Sequence, residues 1–136
     1  MNKYKKVMLI YGGISSEREI SIISSKGIND ALIRNNYEVI KIDANENLES
    51  EIKKYKPDVI FNALHGTWGE DGEVQRIIEL TNVPYTNSGI KASELAMDKH
   101  KSSEKFIEIN ISYPNTILSS LNQIKEQNPM NYPYVL

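Results

Sequence analysis

Three segments of the chain carry apolar residues in short runs, the pattern expected of buried strands. They lie at 7–11, 38–43 and 58–64. The first and third runs are almost continuously apolar, which is typical of strands that are covered on both faces of a parallel sheet. The residues of all three runs therefore predict strands of one sheet.

Between these runs, apolar residues recur at helical spacing. Ser16 and Glu19 have the spacing of a capping box, so we expect the first helix to begin at Ser16. A second helix is predicted over 48–55 and ends before Pro57, because the residue that precedes a proline avoids helical geometry. The first helix carries an apolar stripe formed by Ile20, Ile23, Gly27, Ile28, Ala31 and Leu32.

The order strand, helix, strand, helix, strand predicts an α/β fold. Right-handed crossovers then give an open parallel βαβαβ sheet with helices on both faces. Further helices are predicted over 73–81 and 90–97, with an extended piece at 83–86 between them.

From residue 98 onward the character of the chain changes, because the predicted helix at 99–108 is charged and too few apolar positions remain for a separate core. We therefore interpret 1–97 as one domain and 98–136 as the beginning of a second, truncated domain. The elements expected in the second part are helices at 99–108 and 121–127, an extended segment at 112–118 and the opening of a strand at 132–136.

Composition excludes several classes of function. The 136 residues include 16 Lys and Arg against 18 Asp and Glu, which argues against a nucleic-acid-binding protein. Cysteine is absent and only two histidines occur, so disulfides, cysteine-ligated metals and histidine-rich metal sites are excluded. No apolar run approaches the roughly 20 residues of a membrane span, and the amino-terminal run is too short for a signal peptide. We expect a cytoplasmic protein.

Polar, glycine-rich loops follow the first and third strands, at 12–19 and 65–72. Ligands of open α/β sheets bind beyond the carboxyl ends of the strands, so the two loops can converge on one cleft. The first loop is not a G-x-G-x-x-G phosphate loop, and its acidic residues would repel phosphate. Glu17 stays ionised at a helix amino terminus and suits an ammonium group, although completing the helix start is an equal alternative.

His65 follows the third strand directly and precedes Gly66, which permits close backbone approach. Its imidazole can bind a substrate carboxylate or serve the structure, and the residues alone leave both open. Asp71 suits a turn or helix cap better than acid–base work with Glu70. Trp68 is either a lid over the cleft or a packing residue.

Taken together, four stretches resemble the amino-terminal part of the D-alanine–D-alanine ligases of the ATP-grasp superfamily. The resemblance implies a Rossmann-like first domain followed by the start of an α+β ATP-grasp domain. It also implies a homodimeric cytoplasmic enzyme that joins two D-alanines through an acyl phosphate for peptidoglycan synthesis, with ATP and Mg²⁺ or Mn²⁺. The stretches are GGISSEREIS at 12–21, HGTWGEDG at 65–72, PYTNSG at 84–89 and MDKHKSSEKF at 97–106.

The resemblance assigns roles to individual residues. Glu17 would hold the ammonium group of the first D-alanine, and His65 would lie close to that substrate's carboxylate. Ser16 and the backbone around Gly13 would shape the loop. Lys99, which by itself would be ordinary helix surface, would reach the ATP phosphates.

The chain departs from the family pattern at Asn87 and Arg76, where glycine is common, and it is much shorter than the family. Groups that bind adenine and the metal would lie beyond Leu136, so we expect the chain alone to be inactive. Two alternatives stay open. In the first, the chain is a non-catalytic binding or dimerisation module. In the second, it is the front domain of another ATP-grasp ligase that joins a carboxylate to an amine.

Overall fold

The computed structural model of the protein describes residues 4–128, 130–131 and 133. These residues fall into two compact units, Met1–Met97 and Asp98–Leu136. In the described part of the first unit, strands and helices alternate as predicted. The elements are β1 (Lys6–Tyr11), α1 (Arg18–Arg34), β2 (Glu38–Asp43), α2 (Leu48–Tyr55), β3 (Val59–Asn62), α3 (Glu73–Glu79) and α4 (Ile90–Met97).

The strands form one parallel sheet in the order β2-β1-β3. Residue Met8 of β1 is in register with Ile40 of β2 and Ile60 of β3. The connections from β1 to β2 and from β2 to β3 run in opposite directions, so right-handed crossovers place α1 and α2 on opposite faces. The predicted open parallel βαβαβ sheet with helices on both faces is confirmed.

The central strand β1 is buried on both faces, as its continuous apolar run predicted. Its residues Met8, Leu9 and Ile10 have no exposed surface. One face of the sheet carries the main core, which combines strand residues with the inner sides of α2 and α3. The core members are Met8, Ile10, Ala44, Leu48, Ile52, Ile60, Leu64, Val74 and Ile78.

Helix α1 begins later than its sequence predicted. Glu17 is the residue at its amino-terminal cap, and no side chain closes that end, so the expected capping box of Ser16 and Glu19 is wrong. The reason is a longer-range contact. The hydroxyl of Ser15 accepts the backbone N–H of Glu17 and is held by the carbonyl of His65, which fixes an extra turn before the helix.

The side of α1 that faces the sheet also differs from its apolar stripe. Ser21 and Ser25 are buried, whereas Ile20 and Ile23 are 53% and 63% exposed. The hydroxyl of Ser21 suits this position because it can satisfy backbone groups at the strand ends. The periodicity thus predicted the helix, and the later stripe residues Ile28, Ala31 and Leu32 are partly buried, but the prediction that Ile20 and Ile23 are buried is wrong.

Other elements are also shorter than predicted. Strand β3 ends at Asn62, although Ala63 and Leu64 remain buried beyond it. The extended piece at 83–86 makes an isolated parallel bridge between Tyr85 and Ile60 at the outer edge of β3.

The described part of the second unit contains α5 (Lys99–Glu108) and α6 (Leu121–Glu126). Ser120 and Gln123 form a complete capping box at the start of α6. The segment 111–120 has no regular secondary structure, and Ser103 is the one buried residue among those described in this unit. The strand expected at 132–136 lies, except for Pro133, outside the described residues. No described helix is both long and apolar enough to cross a membrane.

Candidate functional site

The loops that leave β1 and β3 meet at the carboxyl edge of the sheet. The hydroxyl of Ser15 donates to the carbonyl oxygen of His65 over 2.6 Å and accepts the N–H of Glu17 over 3.0 Å. One side chain therefore connects the backbones of the two residues expected to bind substrate.

Gly66 brings the side chain of Glu17 next to the second loop. A Cβ added to Gly66 would lie 2.8 Å from Oε1 of Glu17, so the carboxylate rests against the glycine backbone. Gly66 also has a φ of +71°, which glycine adopts without strain. The Glu17 carboxylate thus lies beside the residue that directly follows His65.

The Glu17 carboxylate faces solvent. Among the described residues, none donates a hydrogen bond to it or forms an ion pair with it. Glu17 caps a 17-residue helix, whose amino-terminal dipole favours a negative charge. The arrangement leaves an ionised group available for an external cation.

The His65 ring is oriented from two sides and remains 34% exposed. Its Nε2 lies 3.2 Å from the hydroxyl of Ser24 on α1, and its Nδ1 lies 4.0 Å from Oε1 of Glu70. The other carboxylate oxygen of Glu70 accepts the N–H of Gly66 over 2.8 Å. Glu70 therefore holds its own loop as well as the imidazole.

Asp71 and Trp68 have structural positions. The Asp71 carboxylate accepts the N–H groups of Trp68 and Glu73, which closes the turn before α3. The helix cap itself is Gly72, so Asp71 closes the turn one residue before the cap and is not the cap residue that the sequence suggested. Trp68 packs against the main core, which favours the packing interpretation over a lid.

Two buried amides that the sequence analysis missed hold the loop after β3. Asn62 and Gln75 both donate to the carbonyl oxygen of Gly69, over 3.1 and 3.0 Å. Asn62 also accepts the N–H of Leu64. The sequence could have indicated these two residues only by a polar side chain at a position expected to be buried. Asn62 interrupts an apolar strand, and Gln75 shares a helix side with core residues.

An ion pair fixes the loop after β1. Arg18 donates to both carboxylate oxygens of Asp43 over 2.6 and 2.5 Å and to the carbonyl of Gly13 over 3.0 Å. The hydrogen bond from Arg18 holds the pKa of Asp43 below its ordinary value. The Gly12–Gly13 turn, where φ is +73° and +78°, is thereby tied to the end of β2.

Comparison with known proteins finds similarity to one family. The family described as D-ala D-ala ligase N-terminus matches residues 43–88. A D-alanine–D-alanine ligase of Parvibaculum lavamentivorans is 43% identical over all 136 residues, which cover 44% of that relative. The chain matches the amino-terminal part of the D-alanine–D-alanine ligase family. It spans less than half the length of this relative.

Solved structures of the ligase family share the fold. The crystal structure of a D-alanine–D-alanine ligase from Bacillus anthracis superimposes with a TM-score of 0.71 at 30% identity, covering 90% of this chain and 43% of that one. The same protein complexed with ATP gives a TM-score of 0.71, covering 90% of this chain and 44% of that one. The α/β fold class and the ligase resemblance are confirmed.

Ser16 and Lys99, which the ligase resemblance also singled out, are both exposed. Ser16 is exposed, and it is the neighbouring Ser15 that bonds across the loops. Lys99 is the exposed first residue of α5 in the second unit. Asp98 pairs with Lys101 instead, and Lys99 forms no ion pair with any described residue.

The ligase resemblance also implies a metal ion. Within residues 4–128, 130–131 and 133, no group of three or more His, Asp or Glu side chains is placed to hold a metal ion. The described residues therefore offer no complete set of protein ligands for a metal ion.

Proposed function

We propose that this chain forms the part of an ATP-dependent D-alanine–D-alanine ligase that binds the first D-alanine. The observation that carries the proposal is the free carboxylate of Glu17 resting against Gly66, the residue next to His65, whose imidazole is 34% exposed. An amino acid presents an ammonium group and a carboxylate only a few bonds apart. Glu17 binds the ammonium group, and His65 donates a hydrogen bond to the carboxylate.

The loop backbone determines where these two groups meet. Gly13 and Ser16 shape the first loop, whose turn is held by the ion pair of Arg18 and Asp43. Binding by Glu17 and His65 orients the carboxylate of the first D-alanine. ATP supplies the phosphoryl group that activates this carboxylate as an acyl phosphate, and the amine of the second D-alanine attacks it.

Residues 1–97 form the substrate-side domain in this proposal, and 98–136 begin the ATP-binding domain. Lys99 binds the ATP phosphates, which is supported by its free, exposed ammonium group and by the ATP complex of the Bacillus anthracis relative. Mg²⁺ or Mn²⁺ accompanies ATP by similarity to the family alone. The enzyme acts in the cytoplasm, in the synthesis of peptidoglycan precursors.

The proposed enzyme is a homodimer. Support comes from the outer side of α1, where Ile20 and Ile23 are 53% and 63% exposed. A Cβ on Gly27 of the same helix would meet nothing within 4 Å, so a second helix can approach closely there. An apolar helix side of this kind is typically covered by another surface.

The binding proposal is tested by titrating the isotope-labelled chain with D-alanine and following its backbone amide resonances by NMR. We expect shifts confined to residues 13–17 and 65–66, with a weaker response to L-alanine. Glu17→Gln removes a hydrogen bond to a charged group, worth about 1.5–3 kcal/mol, so the affinity should fall tenfold or more.

Glu38→Gln is the matched control, because Glu38 is an exposed acid at the opposite end of the sheet. Its D-alanine affinity should equal that of the unaltered chain. Equal affinity of Glu17→Gln and Glu38→Gln would contradict the proposed role of Glu17. The reaction itself is tested on the full gene product by D-alanine-dependent ADP release, and nucleotide binding without that release would favour a non-catalytic module.

A further inference from the structure

Ser21 lies between the ends of β1 and β3. It has no exposed surface, and its hydroxyl accepts the N–H of Gly12 over 2.8 Å and donates to the carbonyl oxygen of Ala63 over 2.6 Å. Gly12 is the first residue after β1 and Ala63 is the first residue after β3. A single buried hydroxyl thus joins both strand exits.

The position of this hydroxyl interrupts the β1–β3 ladder. The last direct bond runs from the N–H of Ala63 to the carbonyl of Ile10 over 2.9 Å. In a regular parallel ladder, the next bond would join the N–H of Gly12 to the carbonyl of Ala63. The Ser21 hydroxyl stands between those two groups, so it replaces the next rung and holds the strand ends one oxygen atom further apart.

The gap opened by Ser21 lies where ligands bind in such sheets. The chain leaves β1 towards β2 on one side, while β3 lies on the other side of β1. This point of reversal is the ligand-binding crevice of open α/β sheets.

A second hydroxyl repeats the pattern further along the loops. Ser15 also accepts an N–H from the first loop, that of Glu17, and donates to a carbonyl of the second loop, that of His65. The two exits are therefore joined twice through serine oxygens. The buried bridge at Ser21 sets the spacing of the two strand exits, and this spacing determines where the outer bridge and the site residues lie.

We infer that Ser21 is a positioning residue, whose hydroxyl holds the β1–β3 crevice open and so sets the separation of the Glu17 carboxylate and the His65 imidazole. A hydroxyl can do this because it donates and accepts at once. Alanine would leave the Gly12 N–H and Ala63 carbonyl either unpaired or free to form the missing rung. Either outcome moves the two loops relative to each other. The consequence for D-alanine binding rests on the proposed function.

The test compares Ser21→Ala with Ser25→Ala. Ser25 is a matched control, because it is also buried on α1, but among the described residues its hydroxyl bonds only to the carbonyl of Ile22 in the same helix. We expect Ser21→Ala to move the amide resonances of Glu17 and Gly66 in the absence of ligand, and to weaken D-alanine binding about tenfold or more. Ser25→Ala should leave those resonances and the affinity unchanged.

Ser21→Thr keeps the hydroxyl and should restore the resonances and the affinity to near those of the unaltered chain. Should Ser21→Ala fail to fold, Ser21→Cys takes its place, since a thiol has similar size but is a weak donor and acceptor. Native resonances in the folded Ser21→Ala or Ser21→Cys chain would overturn the inference. Absence of D-alanine binding by the unaltered chain would instead overturn the proposed function, while the ligand-free resonances still decide the role of Ser21.

Discussion

Replacing Gly66 with alanine would place a methyl group where the Glu17 carboxylate now rests. The added Cβ would lie 2.8 Å from Oε1 of Glu17 and 3.2 Å from the hydroxyl of Ser15, whereas ordinary contacts lie at 3.4–4 Å. The Glu17 side chain is exposed and can turn away. We therefore expect the substitution to displace the carboxylate more than it disturbs the fold.

The cost in stability can be worked from the backbone. An alanine in the left-handed region at φ +71° costs about 1–2 kcal/mol. Loss of glycine's freedom in the unfolded chain offsets about 0.4–1 kcal/mol of this cost. The free energy of unfolding of Gly66→Ala should therefore fall by about 1 kcal/mol. Its D-alanine affinity should fall about tenfold or more, because a hydrogen bond to a charged group is lost.

Gly27→Ala provides the control. Gly27 lies inside α1 with open space around it, so alanine there should raise the free energy of unfolding of the monomeric chain by about 1 kcal/mol. Its D-alanine affinity should not change. Urea unfolding followed by circular dichroism gives the stabilities, and NMR titration gives the affinities. A folded Gly66→Ala chain that binds D-alanine as tightly as Gly27→Ala would refute the reasoning that Glu17 must rest against Gly66.

Three further outcomes follow from individual contacts. Since Arg18 lowers the folded-state pKa of Asp43, this pair should stabilise the fold above about pH 4 and lose that effect as the pH falls below it. Urea midpoints measured between pH 3 and 7 should show this loss in the unaltered chain and not in Asp43→Asn. Burial and the hydrogen bond to Glu79 raise the pKa of Tyr85 to about 12. The stabilisation that the protonated Tyr85 gives to the fold should therefore be complete below pH 10 and be lost between pH 10 and 12. Urea midpoints of Tyr85→Phe should not show this loss. Ile23→Glu should shift the chain towards monomer in sedimentation equilibrium if the outer side of α1 is the dimer surface, and an unchanged mass would contradict that assignment.

The sheet could be predicted from the sequence because burial on both faces leaves a direct signal. In β1 every residue after Lys6 is apolar, on both faces of the sheet, and Val7 to Ile10 are buried. Strand β3 gives the same signal, although the sequence overestimated its length. Ala63 and Leu64 continue the buried run, but they belong to the loop that carries His65 and not to the strand.

The first helix shows where periodicity stops being informative. Its spacing predicts a helix whichever side faces the sheet, and apolarity pointed to the side of Ile20 and Ile23. The structure buries Ser21 instead, because its hydroxyl forms hydrogen bonds with an N–H and a carbonyl at the strand ends, which a hydrocarbon side chain would leave unpaired. The misplaced helix start has the same origin. Local spacing favoured Ser16, while the carbonyl that holds Ser15 belongs to a residue 50 positions away.

The meeting of the two loops could be predicted from the rule that parallel strands end at one edge. The contacts that join the loops could not, because each depends on a partner far along the chain. Gly66 illustrates the limit. Its sequence context indicated close backbone approach, but the group that approaches it is the carboxylate of Glu17 from the other loop.

The availability of Glu17 depends on what happens to the neighbouring arginine. Arg18 directly follows Glu17 and, if free, its guanidinium would be a natural partner for the carboxylate. Asp43 removes it from competition, because both of its oxygens accept from Arg18 while Gly13 takes a further bond from the same group. The adjacent positive charge is thereby used to hold the loop, and the negative charge of Glu17 remains unneutralised. A fixed backbone and an unpaired acid at one position are what recognition of a small ammonium group requires, and the Arg18–Asp43 pair supplies both.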